Sequence, residues 1–183
     1  LYRINGKGYY TKDEKEKFCL IIHNNHNHSL KASIDLEKIV TQKNIKKNII
    51  LTDDTVKTKK HIIELYTISD VLLNASKSEG FGMPIIESQL NGTPVITTNC
   101  TSMATNTFYG ICTEPKDVSY VVNGINSWSN PSPKNIAEAI TYFYNKKNKI
   151  TNNLDLKYTL TPINKNLYNK KNISKKWIEF FDI

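Results

Sequence analysis

The sequence predicts an α/β domain built on a doubly wound parallel sheet, and three observations carry that expectation. Short apolar runs rich in strand formers alternate with stretches of helical period, as they do when parallel strands are joined by crossover helices. A Gly-containing turn, "EGFGMP" (79–84), stands between one such strand and one such helix, where sheets of this kind bind ligands. The length, 183 residues, allows one core of this kind and no second large domain.

Taken in order, "FCLII" (18–22) reads as the first strand, with Cys19 as a small core residue, and "DLEKIV" (35–40) sets Leu36, Ile39 and Val40 on one helical face. "NIILT" (48–52) repeats the strand signal. "TKKHIIELYTIS" (58–69) places Ile62, Leu65 and Tyr66 on a stripe of helical period. "DVLLNAS" (70–76) makes a third strand, a helix opens at Pro84 and stops at Gly92, and "TPVITT" (93–98) is a fourth strand. From 99 to 133 the chain reads as irregular, with loops around a short strand near Tyr109 to Thr113. In "SPKNIAEAITYFYNKK" (132–147), Ser132 and Pro133 form the cap and first turn of a helix whose buried face is Ile136, Ala137, Ile140 and Phe143. The polar stretch 148–170 is followed by "ISKKWIEFFDI" (173–183), an amphipathic helix anchored by Trp177, Ile178 and Phe181. The chain thus divides into a basic start (1–17), a ligand-binding domain (18–147) and a C-terminal extension with a closing helix (148–183).

A formal net charge of +8 favours an anionic partner, and charge alone does not choose among nucleic acid, anionic lipid and phosphorylated small molecules. The lysines lie on polar stretches beside apolar helical positions, so a solvated face is expected rather than nucleic-acid binding. Three cysteines with no CxxC pair suit a reducing, cytoplasmic location. No apolar run has the length of a membrane span, and no signal-peptide pattern is present. The chain begins at Leu1, as a fragment or processed piece of a longer protein would.

The stretch "SEGFGMPIIES" (78–88) concentrates the chemistry. Gly80 and Gly82 let the backbone approach a ligand, and Pro84 at the first helical position leaves neighbouring N–H groups pointing outward, which suits a diphosphate. Two acids beside a phosphate would repel it unless they face hydroxyls. Glu87, in the first turn of the helix, can accept from the cis-diol of a ribose, and Glu79 from a second sugar, so the spacing matches a nucleotide sugar. The plain alternative is a solvated Glu79 and a Glu87 favoured by the helix dipole.

"EGFGMPIIESQLNGTPVIT" resembles the signature of the group 1 glycosyltransferases, with its Glu, Gly, Phe, Gly, aliphatic, Pro core, second Glu eight positions on and GTPVI strand. "IIELYTISDVLLNAS", "SPKNIAEAI" and "ISKKWIEFF" are similar to further elements of that family. The resemblance implies a Rossmann-like fold, the C-terminal half of a retaining GT-B glycosyltransferase of family 4 type. Such a half binds the donor, and a separate N-terminal domain of the same or another chain holds the acceptor. By position it puts Glu79 on the transferred sugar in a catalytic role and Glu87 on the ribose. Gly80, Phe81, Gly82, Met83 and Pro84 complete the donor site. Arg3, Lys7 and His23 are candidates for the phosphate, and Thr52 and Asp53, with Asp54, for the surroundings of the base. No metal or cofactor is expected: "HNNHNH" (23–28) lacks a helix or turn to fix its histidines as ligands, and Asp53 and Asp54 do not form a DxD site. The donor expected is a UDP or GDP sugar and the activity a hexosyl transfer, incomplete in the isolated chain. A non-catalytic, degenerate glycosyltransferase-like module for binding or assembly is the competing reading.

Overall fold

In the computed structural model the described residues are 3–4, 7–8, 18–23, 36–44, 48–52, 58–121, 126–147 and 168–181. The chain forms two compact units, Leu1–Glu64 and Leu65–Ile183. In the first, β1 (Arg3–Ile4) pairs antiparallel with β2 (Lys7–Gly8). β3 (Leu20–His23) runs parallel to β4 (Ile49–Thr52), in a register that sets Leu20 beside Ile49 and His23 beside Thr52. Parallel neighbours need a crossover, and α1 (Leu36–Gln42), with Val40 buried and Ile39 half-buried, lies between them in the chain. α2 (Lys59–Ile68) begins in this unit and ends in the next.

The second unit holds a three-stranded parallel sheet in the order β5 (Leu72–Asn74), β6 (Val95–Thr98), β7 (Gly110–Thr113). α3 (Met83–Leu90) and α4 (Thr101–Asn106) make the two crossovers. Successive strand residues point to opposite faces, and Val95 and Ile96 accordingly serve different cores. On one side Val95 packs with Ile85 of α3 and Met103 of α4. On the other, Ile96 and Ile111 pack with Ala139 of α5 (Pro133–Lys147), with Ile136 and Ile140 against them. This is the doubly wound arrangement, with helices on both faces. All six of these core side chains have no exposed surface, and each large one contributes about 1.5–3 kcal/mol by leaving water. β6 and β7 approach so closely that a Cβ on Gly110 would lie 2.1 Å from the Val95 carbonyl oxygen. Only glycine fits there.

The helix over 132–147 forms as its pattern predicts, with Ser132 Oγ accepting from Asn135 N–H (3.3 Å) as the cap. Ile136, Ala137, Ile140 and Phe143 all face the protein, and Ala139 joins them in the core. The stretch 99–133 is more regular than its composition suggests. It contains α4 and a hairpin of β8 (Asp117–Val121) and β9 (Asn126–Asn130), in which Ser119 pairs with Trp128. α4 escapes a periodicity reading because Met103 is its one apolar anchor, and the hairpin because Val118, Tyr120 and Trp128 stay exposed, so there is no apolar and polar face to alternate. Cys19 is exposed rather than a core residue: it precedes the start of β3, where even Leu20 is 41 % exposed. α6 (Lys170–Phe181) forms, but Trp177 and Ile178 do not anchor it, being 56 % and 53 % exposed. A periodic apolar stripe reports the asymmetry of a helix and not what covers it.

Candidate functional site

At the carboxyl end of β5 the chain turns because Asn74 Oδ1 accepts from Ser76 N–H at 3.1 Å, an Asx-type turn that supplants the next strand residue. Asn74 then uses its other end, with Nδ2 3.5 Å from Glu79 Oε1, and Ser76 Oγ donates to the same oxygen at 2.8 Å. The Glu79 carboxylate is therefore fixed, half-buried, by the end of a strand and the residue after it.

The main chain of the loop is fixed by α4. Thr101 Oγ1 accepts from Glu79 N–H (3.1 Å), Ser102 Oγ donates to Glu79 O (3.0 Å), and Asn106 Nδ2 donates to Phe81 O (2.7 Å). Thr101 holds a φ of 47°, a costly conformation for a β-branched residue, and its hydroxyl is what meets the loop. The β8–β9 hairpin closes the third side: Ser129 N–H donates to Lys77 O (3.1 Å), and Lys77 Nζ lies 5.4 Å from the Trp128 ring centre.

Gly82 precedes α3 with φ 78° and ψ 51°, a left-handed conformation that suits glycine, and no side chain caps the helix. The helix starts at Met83, one residue earlier than expected, with Pro84 inside its first turn. Glu87 consequently lies beyond the first turn, where the helix dipole does not account for it. What holds it is Tyr66, whose hydroxyl donates to Oε2 at 3.3 Å. Tyr66 is buried, and Thr93 Oγ1 donates to its carbonyl at 2.7 Å. Burial first, and then the charge and hydrogen bond of Glu87, push the phenol up to about 12. Each carboxylate oxygen has two lone-pair directions, so the Tyr66 bond leaves Glu87 acceptor capacity for a ligand.

Between the two acids the surface is open. A Cβ on Gly80 would meet nothing within 4 Å, and Phe81 and Met83 are 51 % and 54 % exposed. Beneath it, the buried Gln89 amide stitches α3 to the α4–β7 connection. Its Nε2 donates to Ile85 O and Asn106 O, both at 2.8 Å, while Oε1 accepts from Phe108 N–H (2.7 Å) and Tyr109 N–H (2.6 Å). The sequence singles out Glu79, Gly80, Phe81, Gly82, Met83, Pro84 and Glu87, and the structure sets the first four on the turn after β5 and Met83, Pro84 and Glu87 on the helix that follows it. It adds Tyr66, Asn74, Ser76, Gln89, Thr101, Ser102 and Asn106. The signal that could have found several of them is the run of Asn, Ser and Thr side chains at the ends of β5 and β6.

The remaining candidates that are described belong to the first unit. His23 Nδ1 and Thr52 Oγ1 are 3.0 Å apart at the carboxyl end of the β3–β4 pair. Arg3 pairs in register with Gly8 and Lys7 with Ile4, on opposite strands of the β1–β2 ribbon. Asp53, Asp54, His26 and His28 lie outside the described residues. Among the described residues no cluster of three His, Cys, Asp or Glu side chains could hold a metal ion, and no helix is long and apolar enough to cross a membrane.

The family model described as Glycosyl transferases group 1 matches residues 31–153, more than half of the 183-residue chain. No curated protein matches it.

Proposed function

The chain belongs to the group 1 glycosyl transferases, and from that premise we propose that its second unit is the donor-binding part of a retaining, GT-B-type hexosyltransferase. The donor is a nucleoside-diphosphate sugar, with UDP or GDP as the nucleotide, and the acceptor is held by a separate domain. The observation that carries this reading is the pair of braced carboxylates on either side of an open glycine turn. Glu79, held by Ser76 and Asn74, accepts from hydroxyls of the transferred sugar. Glu87, held by Tyr66, accepts from the ribose diol. The backbone at Gly80, Phe81, Gly82 and Met83 runs between them into the N-terminus of α3, where the diphosphate lies against the first turn that holds Pro84.

Retention follows from departure of the diphosphate on the face at which the acceptor oxygen attacks, the acceptor proton passing to the leaving phosphate. Charge growing on that phosphate is stabilised by N–H groups and nearby cations. The assignment of Arg3, Lys7 and His23 to the phosphate and of Thr52 and Asp53 to the base is carried by the resemblance of the sequence alone. The isolated chain then binds donor and transfers poorly.

Calorimetric titration with UDP, GDP and ADP, repeated on Glu87→Ala and Glu79→Ala, tests the reading. A hydrogen bond to a charged group contributes about 1.5–3 kcal/mol, so losing the ribose contact weakens nucleotide binding about 10- to 150-fold. Glu79→Ala leaves nucleotide affinity in place and weakens the nucleotide sugar. Equal affinity of Glu87→Ala and the parent chain for the preferred nucleotide would overturn the assignment.

A further inference from the structure

α6 has the sequence "KKNISKKWIEFF". Asn169 starts it, its Oδ1 accepting from Lys171 N–H at 2.9 Å. At 3.6 residues per turn, Ile173, Trp177 and Phe180 fall one above another, and together with Lys176 they line a shallow apolar groove on the surface. Ile178, next in the chain after Trp177, is turned about 100° round the helix from it. These side chains are strongly exposed for their type: Ile173 37 %, Trp177 56 %, Ile178 53 % and Phe180 77 %. The Trp177 and Phe180 rings meet edge to face with centres 6.2 Å apart, so the two aromatics present one continuous apolar surface.

The charges are placed around this stripe rather than at random. Lys176 borders it on one side, beside Phe180, and Lys170 on the other, seven residues before Trp177 and so beside the same line of the helix, while Lys171 lies towards the far face. Lys175 lies on the far face, where it pairs with Glu179 at 3.7 Å. Four lysines against one glutamate give α6 a net charge of +3. An apolar stripe of Trp, Phe and Ile edged by lysines long enough to reach past it matches a layer that is apolar below and anionic above.

We propose that α6 is an interfacial helix that lies in the plane of an anionic lipid bilayer, with Ile173, Trp177 and Phe180 among the upper acyl chains and Lys170 and Lys176 at the lipid phosphates. The inference is independent of the donor site, which sits on other elements. A protein groove would satisfy the apolar stripe equally well, but only an anionic surface uses both rows of lysine.

The test is co-sedimentation of the full chain with vesicles of phosphatidylcholine alone and of an equal mixture of phosphatidylcholine and phosphatidylglycerol, at low and raised salt. Fluorescence of Trp177 is followed in a Trp128→Phe background. Binding to the mixed vesicles, weakened by salt and accompanied by a blue shift, is expected. Each lysine near such a surface contributes about a fivefold gain, so Lys170→Gln with Lys176→Gln lowers partitioning about 25-fold. Trp177→Ser with Phe180→Ser abolishes it while leaving the circular dichroism of the chain and its nucleotide affinity unchanged. Equal partitioning into both vesicle types, no partitioning, or self-association of the chain through α6 in place of vesicle binding would each overturn the proposal.

Discussion

Replacing Gln89 by leucine removes a polar contact from the floor of the site while keeping the side chain's bulk, and its cost follows from the four hydrogen bonds the amide makes. The Ile85 carbonyl is also within reach of the helix's own backbone, so its loss is small. The Asn106 carbonyl and the N–H groups of Phe108 and Tyr109 lose the partner that the Gln89 amide supplies. Leaving a buried polar group unsatisfied costs about 1–3 kcal/mol. These three are half-buried, which places each near the lower bound and the total at about 3–4 kcal/mol. Against a domain stability of about 5–15 kcal/mol this is a large fraction. In urea, where the slope is about 1–3 kcal/mol per molar, the midpoint falls by roughly 1–4 M with the slope unchanged. Gln89→Glu sharpens the test. It keeps the acceptor for Phe108 and Tyr109 but turns a charged oxygen towards two carbonyls, which favours the protonated acid in the folded state. The stability it retains is present at low pH and is lost as pH rises through the raised folded value, opposite to an ordinary carboxylate. A loss under about 1 kcal/mol for leucine, or a glutamate variant insensitive to pH, would refute the claim that this amide holds the turn.

Gly82→Ala introduces a Cβ at a φ of 78° and 2.8 Å from Ile85 Cδ1, and lowers stability by about 1–2 kcal/mol, whereas Gly80→Ala, with open space around it, leaves stability unchanged and weakens the nucleotide sugar; thermal melts and titrations separate the two. Tyr66 ionises at about 12 in place of 10.0, so its contribution is whole below pH 10 and is lost as the pH rises from there through about 12. A shift of this size corresponds to roughly 1–2 kcal/mol once the partial hydration of Glu87 is allowed for, and Tyr66→Phe removes this alkaline dependence from denaturation midpoints. Iodoacetamide labels the exposed Cys19 ahead of Cys112, whose thiol is pushed up chiefly by burial, and mass spectrometry of digests after short exposure gives the order.

Much of the fold is legible because its signals are local. The runs 18–22, 48–52, 70–76 and 93–98 become β3, β4, β5 and β6 within a few residues, and Gly92, with φ 89°, ends α3. The acids and glycines of the turn are legible for the same reason, being contiguous. What supports them is not. Tyr66 lies 21 residues from Glu87, and Ser102 lies 23 from Glu79, and no spacing rule links residues that meet only through the sheet. Tyr66 reads as one more apolar position on an amphipathic stripe, since nothing in its surroundings distinguishes a phenol that caps a core from one that orients a carboxylate. α4 has the same difficulty: its six residues contribute Met103 to the core and hydroxyls and an amide to the loop, a division that periodicity does not express.

The placement of polar residues within the strands explains why the site forms where it does. The parallel strands of the second unit read LLN, VITT and GICT, each apolar where helices cover it and polar in its last residue. Apolar side chains gain by burial only as far as the helices reach, and at the carboxyl end the crossovers leave the sheet, so residues there must bind loops or each other. They do: Thr113 Oγ1 donates to Thr97 O at 2.8 Å, Thr97 and Thr107 share a hydrogen bond of 2.8 Å, and Asn74 turns the chain towards Glu79. Thr98, wholly buried with its hydroxyl unpaired among the described residues, marks the depth to which this polar layer extends. A carboxylate carried a few residues beyond such an edge finds hydroxyl and amide donors already oriented by the strands. The order of apolar and polar residues along each strand therefore does two things at once, closing the core and bracing Glu79.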